Sequence, residues 1–135
     1  MKAYISLGSN LGDRMLYIRK ALDLLSPYVK AVSPVIETAP VDMPAGASRF
    51  LNAVAELDTD LPPDKLLDLL ESVEEKLGRS GKGKCQSRTI DLDILQYEDV
   101  EQTTPRLTIP HHKLKKREFL CRLLKKLKKE KVKAN

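Results

Sequence analysis

Asp91 and Asp93 stand two residues apart in Arg88-Thr89-Ile90-Asp91-Leu92-Asp93-Ile94, a run that is otherwise apolar and β-prone. On a strand, residues i and i+2 project from one face. The two carboxylates therefore project together, and Ile90, Leu92 and Ile94 face the opposite way, into a core. Neighbouring carboxylates repel each other and lose hydration unless a cation joins them. Mg²⁺ suits such a pair, because it takes one or two protein carboxylates and completes its octahedron with waters and substrate phosphates. Arg88 adds a guanidinium fork matched to phosphate oxygens. The chemistry this pattern serves is a metal-dependent phosphoryl-type transfer. The plainer alternative is a charged edge strand kept polar for solubility.

Two neighbouring segments carry further polar chemistry. Arg79-Ser80-Gly81-Lys82-Gly83-Lys84-Cys85-Gln86-Ser87 combines glycines with basic residues, as a lid over a triphosphate would. It lacks the G-x-x-x-x-G-K-[ST] spacing of a Walker A loop, and an ordinary surface loop is its other reading. Arg106-Leu107-Thr108-Ile109-Pro110-His111-His112-Lys113 follows, with a His beside Pro flanked by basic residues that suit phosphate. Adjacent histidines on a strand point apart, so no spacing here supports a metal site or a general base.

Positioning these residues requires a scaffold, and the patterning supplies one. Lys2 to Leu7 alternates and reads as a strand ended by Gly8-Ser9-Asn10. A helix follows from about Asp13 to Ser26, with Met15, Leu16, Ile18, Ala21, Leu22 and Leu25 as its apolar stripe. Val32 to Glu37 reads as a strand interrupted near Pro34, which implies an edge position or a bulge. A Pro-containing loop over 38–48 leads to a strand from Phe50 to Leu57. The second helix opens at the prolines 62 and 63, turns Leu66, Leu67, Leu70, Val73 and Leu77 inward, and ends at Gly78. Thr89 to Tyr97 is the fourth strand, and Arg117 to about Lys129 is a last helix. Strand, helix, strand, strand, helix, strand is the order of an α+β, ferredoxin-like split βαβ sandwich. Its antiparallel sheet is covered by helices on one face, here with one extra C-terminal helix.

Length and charge bound what remains. The 135 residues suit one domain, 1–135, of which about 117–135 is a basic C-terminal helix and tail. Eleven of the 24 basic and two of the 19 acidic residues fall within 113–135, a local balance of +9 against −4 over 1–112. Such a segment can bind nucleic acid, but without interleaved aromatics it reads as a solvated helix face. No apolar run approaches the ~20 residues that span a bilayer. Cys85 and Cys121 form no C-x-x-C pair, and a cytoplasmic location with no membrane partner is expected.

Taken in order, Ser6-Leu7-Gly8-Ser9-Asn10-Leu11-Gly12-Asp13-Arg14, Phe50-Leu51-Asn52-Ala53, Arg88-Thr89-Ile90-Asp91-Leu92-Asp93 and Leu107-Thr108-Ile109-Pro110-His111 resemble the 6-hydroxymethyl-7,8-dihydropterin pyrophosphokinase family of the folate pathway. The likeness extends nearly through Phe119, and the pairing of R-T-I-D-L-D-I with L-T-I-P-H is far more specific than either half. The resemblance implies the ferredoxin-like fold and a transfer of pyrophosphate from ATP to the pterin hydroxymethyl oxygen, releasing AMP. It implies that Asp91 and Asp93 hold two Mg²⁺ ions, and that Arg79 and Arg88 are catalytic through the phosphate charge they neutralise. It places the pterin between Phe50 and Phe119, in a slot formed by Thr38, Val41 and Asn52. Arg106, Thr108, His111 and Arg117 would form a nucleotide strip, with Glu74 and Ile94, besides Arg79 and Arg88, also touching ATP. A monomer with no nucleic-acid partner is implied. The chain departs from the family pattern in its loop, which has no Trp and carries Lys82, Lys84 and Cys85. The alternatives are a catalytically weakened ATP-binding relative and a ferredoxin-like RNA-binding module, which would need exposed aromatics on the central strands.

Overall fold

The computed structural model describes residues 1–40, 45–78 and 89–134, with side chains through residue 129. Its first strand, β1 (Lys2–Ser9), is the axis of an antiparallel sheet. It pairs on one side with β4 (Phe50–Asp58) and on the other with β5 (Asp91–Tyr97). Beyond β4 lie two short strands, β2 (Val29–Val32) and β3 (Ile36–Thr38), giving the order β2–β4–β1–β5 with β3 also on β4. With α1 (Arg14–Leu24) after β1 and α2 (Pro63–Lys76) after β4, this is the split βαβ arrangement expected from the sequence.

The expected break at Pro34 divides one edge strand into β2 and β3. Proline has no N–H for the ladder, and Ser33 repairs the gap. Its backbone N–H donates to the Val54 carbonyl, and its hydroxyl accepts the Val54 N–H, both at 2.8 Å. Asp13 caps α1 by accepting the Leu16 N–H. The apolar stripe of α1 is narrower than its sequence suggests: Ile18, Ala21 and Leu25 are buried, whereas Leu16 is 42% exposed. Gly78, at φ +88°, ends α2 in the left-handed conformation that favours glycine.

Two apolar layers result, one on each face of the sheet. Ala3, Ile5 and Leu7 of β1, Ala53, Ala55 and Leu57 of β4, and Leu92 and Ile94 of β5 pack against α1 and α2. On the opposite face Tyr4, Val54 and Leu95 meet Leu120, Leu123, Leu124 and Leu127 of α4 (Glu118–Ala134). Helices therefore cover both faces rather than one, because α4 carries its own apolar stripe, with Lys125, Lys126, Lys128 and Lys129 left in solvent. Beneath α4 the buried Glu56 accepts a 2.9 Å hydrogen bond from the Tyr4 hydroxyl. Burial, then Glu56, pushes the Tyr4 phenol up to about 12. A two-stranded sheet of β6 (Gln102–Thr103) and β7 (Thr108–Ile109), then the single turn α3 (Lys113–Lys116), connects β5 to α4. No helix among the described residues is long and apolar enough to cross a membrane.

Candidate active site

The register of the three long strands decides what shares the α4 face. Gly8 of β1 stands opposite Asn52 of β4 and Asp91 of β5, and Ile36 of β3 continues the row beyond Asn52. Ser6 likewise stands between Val54 and Asp93. Asp91 and Asp93 thus project together, as their spacing requires, while Ile90, Leu92 and Ile94 lie in the opposite core. The strand bends just beyond the pair: Tyr4 faces Gln96 and Ile5 faces Ile94, so Leu95 is the extra residue of a bulge. The Leu95 carbonyl accepts the His111 N–H at 2.9 Å, which brings the segment after β7 back over the aspartates.

Glu74 fixes this strand from the other side. Its carboxylate is buried and accepts the Leu92 N–H at 2.9 Å, satisfying a backbone donor on β5 midway between the aspartates. Removing that acceptor leaves a buried N–H unpaired. Glu74→Ala is expected to lower folding stability by about 1–3 kcal/mol. Urea unfolding of Glu74→Ala beside the exposed-site control Glu75→Ala measures this, and equal midpoints would refute the role assigned to Glu74.

The aspartates carry their own counter-charge. The Lys113 ammonium lies 2.5 Å from Asp93 Oδ2 and 3.3 Å from Asp91 Oδ2, and His111 Nε2 lies 3.6 Å from Asp93 Oδ1. His111 Nδ1 accepts the Lys113 backbone N–H at 3.1 Å, so in the neutral ring Nε2 holds the proton and directs it at Asp93. Burial pushes the Asp93 carboxyl up, but His111 and Lys113 together outweigh it and hold the group well below the usual carboxylate range. Burial draws the Lys113 ammonium down, and Asp93 and Asp91 raise it above its ordinary value. Asp93 and Lys113 are therefore both ionised at neutral pH. The spacing argument for His111 and His112 does not hold, because neither lies on a strand and their rings stack with centroids 4.5 Å apart.

Beside Asp93 opens a cavity of about 180 Å³ lined by Arg106, Leu107, Thr108, His111 and His112, with Leu67, Ile94 and Pro105 completing the wall. Arg106, Thr108 and His111, for which the family resemblance implies one nucleotide strip, therefore meet one aspartate of the D-x-D pair in a single space. Arg106 is anchored at the rim by Asp68 and by Glu71 (3.3 Å) on α2. Ile94 contributes apolar wall rather than a polar contact. Arg117 closes α3, donating its N–H to the Lys113 carbonyl at 2.8 Å.

Along the same face lies a second group of polar and aromatic side chains. Asn52 is buried, and its amide nitrogen donates to the Thr38 hydroxyl at 2.7 Å. A Cβ on Gly8 would sit 3.4 Å from Asn52 Oδ1 and 3.5 Å from the Phe50 ring, so the missing side chain lets ring and amide converge over β1. Arg14 holds the rim, with 2.8 Å to Glu37 Oε2 and 2.9 Å to the Arg49 carbonyl. Phe119 is half-buried at the start of α4, packed against the second core rather than free. Asn52 and Asp91 are two strand spacings apart, ~10 Å. Tyr4 and Tyr97 are buried at 8% and 1% exposure, which leaves Phe50, at the start of β4, as the one partly exposed aromatic among the described strand residues, fewer than an RNA-binding sheet would present. Val41, Arg79 and Arg88, together with Lys82, Lys84 and Cys85, lie outside the described residues. Sequence reasoning missed Lys113, which looked like one cation among eleven. Its place two residues after His111 is the one signal that set it apart.

The two carboxylates are hard oxygen donors, and among the described residues no cluster of three or more His, Cys, Asp or Glu forms a protein-only metal cage. That donor set fits an ion such as Mg²⁺, which keeps its waters and draws its remaining ligands from substrate phosphates.

Comparison with known proteins places the chain in a family. A family model described as 7,8-dihydro-6-hydroxymethylpterin-pyrophosphokinase matches residues 4–129. The chain is 41% identical over 122 residues to the 2-amino-4-hydroxy-6-hydroxymethyldihydropteridine pyrophosphokinase of Bacillus subtilis, covering 87% of this chain and 72% of that protein. It is 40% identical over 123 residues to the Pseudomonas aeruginosa protein of the same name, covering 88% and 75%. It also matches the Folic acid synthesis protein fol1 of Schizosaccharomyces pombe, 41% identical over 129 residues, covering 90% of this chain and 17% of that longer protein.

Proposed function

The chain belongs to the 7,8-dihydro-6-hydroxymethylpterin-pyrophosphokinase family and is an ATP-dependent pyrophosphokinase of folate biosynthesis, and we propose that the cavity at Asp93 and the cluster around Asn52 are its two substrate sites. The acceptor is the hydroxymethyl oxygen of 6-hydroxymethyl-7,8-dihydropterin. Releasing AMP requires that this oxygen bond to the β-phosphorus of ATP while the bridging oxygen to the α-phosphorus departs with AMP. The protein contributes mostly placement and charge, as is general for phosphoryl transfer.

The observation that carries this reading is the cavity in which Arg106, Thr108 and His111 meet Asp93. Thr108 offers a donor to phosphate oxygens, His111 presents its Nε2–H beside Asp93 where arriving phosphate would share it, Arg106 offers charge at the rim, and Leu67, Ile94 and Leu107 offer apolar wall to a nucleoside. Arg117 ends the same strip, and Arg79 and Arg88 supply further charge to the phosphates. Asp91 and Asp93 are the residues that would hold Mg²⁺, two ions with ATP, whose chemistry when bound is neutralisation of phosphate charge. Glu74 acts through β5 by keeping both aspartates in register. At the Asn52 cluster, Phe50 and Phe119 supply the rings, Thr38, Val41 and Asn52 the slot, and the polar groups of Thr38 and Asn52 read the pterin edge. A monomeric, cytoplasmic, single-domain protein accords with this reading.

Purified protein incubated with ATP, Mg²⁺ and the hydroxymethyl pterin is expected to form AMP only when all three are present. Formation of ADP, or AMP formation indifferent to the pterin, would overturn the assignment.

A further inference from the structure

Lys113 is held in place from both ends of its own peptide unit. Its N–H donates to His111 Nδ1 at 3.1 Å, and its carbonyl accepts the Arg117 N–H at 2.8 Å. So fixed, its side chain spans to Asp91 and Asp93 together, and all three side chains are mostly shielded from solvent. The trio carries one net negative charge. A divalent ion added on the carboxylates would meet an ammonium already bonded to the same oxygens, and the two cations would repel at contact distance. Phosphates remove that conflict, since they neutralise the metal and offer the ammonium new acceptors. A lysine on a flexible four-carbon stem can turn from one acceptor to another.

We propose that Lys113 is a tethered competitor of the divalent cation: it neutralises Asp91 and Asp93 in the unliganded chain and yields them only to a metal that arrives with nucleotide phosphates. The inference rests on reading the aspartates as the metal-holding pair. It makes Lys113 a positioning residue that keeps the carboxylates parallel and rejects metal without nucleotide.

Mn²⁺ in place of Mg²⁺ permits a test independent of turnover, by the electron paramagnetic resonance of the free ion. Without nucleotide, Lys113→Met is expected to bind Mn²⁺ about tenfold or more tightly than the unaltered chain, the scale set by removing one unit charge at contact distance. Lys113→Gln should gain similarly, and Lys113→Arg should retain the weak binding of the original. Mn²⁺ should also raise the melting temperature of Lys113→Met more than that of the unaltered chain, which reports on folded protein directly. Equal Mn²⁺ affinity across Lys113→Met, Lys113→Gln and the unaltered chain would overturn the proposal. A parallel titration with a non-hydrolysable ATP analogue separates the two failures. Binding of Mn²⁺ by the unaltered chain with the analogue, and no gain in the variants without it, rejects only the competitor role. No Mn²⁺ binding even with the analogue rejects the metal-holding pair, and the competitor role with it.

Discussion

Asp93→Ala is expected to lower kcat for AMP formation by roughly 10²–10³-fold or more, the range in which one preorganised charge-stabilising group acts. Among the described residues Asp93 is the one aspartate on the wall of the cavity proposed for nucleotide, and it also receives Lys113 and His111. Its removal withdraws an oxygen ligand from the cation it would hold and leaves Lys113 with Asp91 alone. The fold should survive, because the core beneath this strand is made by Ile90, Leu92 and Ile94 on the other face. Asp91→Ala should act in the same direction, since Asp91 shares the same ammonium and completes the pair. Asp93→Asn is the sharper variant: it keeps the size and one acceptor oxygen, turns a donor toward Lys113 or His111, and removes the charge that a cation needs. Steady-state AMP release, with circular dichroism on each variant, measures both parts. Near-normal turnover in Asp93→Asn would show that the pair carries no metal role, however well its oxygens suit Mg²⁺.

That face was legible in the sequence because strand geometry alone decides it. Two residues apart on a strand means one side, and the apolar residues between them leave no other register. The interruption at Pro34 was legible for a similar reason, since a residue without an N–H cannot continue a ladder. What stayed hidden depends on contacts across long separations. The strand pairs β6–β7 comprise two residues each, too few to show a period, and α3 is a single turn. The basic run concealed that Leu120, Leu123, Leu124 and Leu127 would cover the second face of the sheet, because a charge count weighs solvent-facing residues and ignores the stripe behind them. Lys113 was hidden by the same run. Its partners lie 20 and 22 residues earlier, and only the bulge at Leu95 and the bond from His111 bring them together.

Asn52→Ala is expected to reduce kcat/KM for the pterin by about 10–10²-fold, corresponding to the 1–3 kcal/mol attached to a lost buried hydrogen-bonding group. The nucleotide dissociation constant should stay unchanged. The side-chain amide offers two donors and an acceptor, and one donor is committed to the Thr38 hydroxyl. That bond orients the amide so that its oxygen lies toward Gly8 and its second N–H remains for a ligand. An adjacent donor and acceptor are what the amino and oxo groups of a pterin edge require, and a site built around them rejects a flat ring lacking those groups. Thr38→Val tests the orientation separately: Asn52 remains but is no longer held, so a smaller loss in the same parameter is expected. Fluorescence titration with the pterin and competition with ATP distinguish the two subsites. Loss of ATP binding with pterin binding intact would reverse the assignment of the two sites, since Asn52 and the nucleotide cavity are separated by the whole width of β1. An equal loss of both would instead point to a fold dependence on the Asn52–Thr38 bond, which the melting temperature of Thr38→Val decides directly.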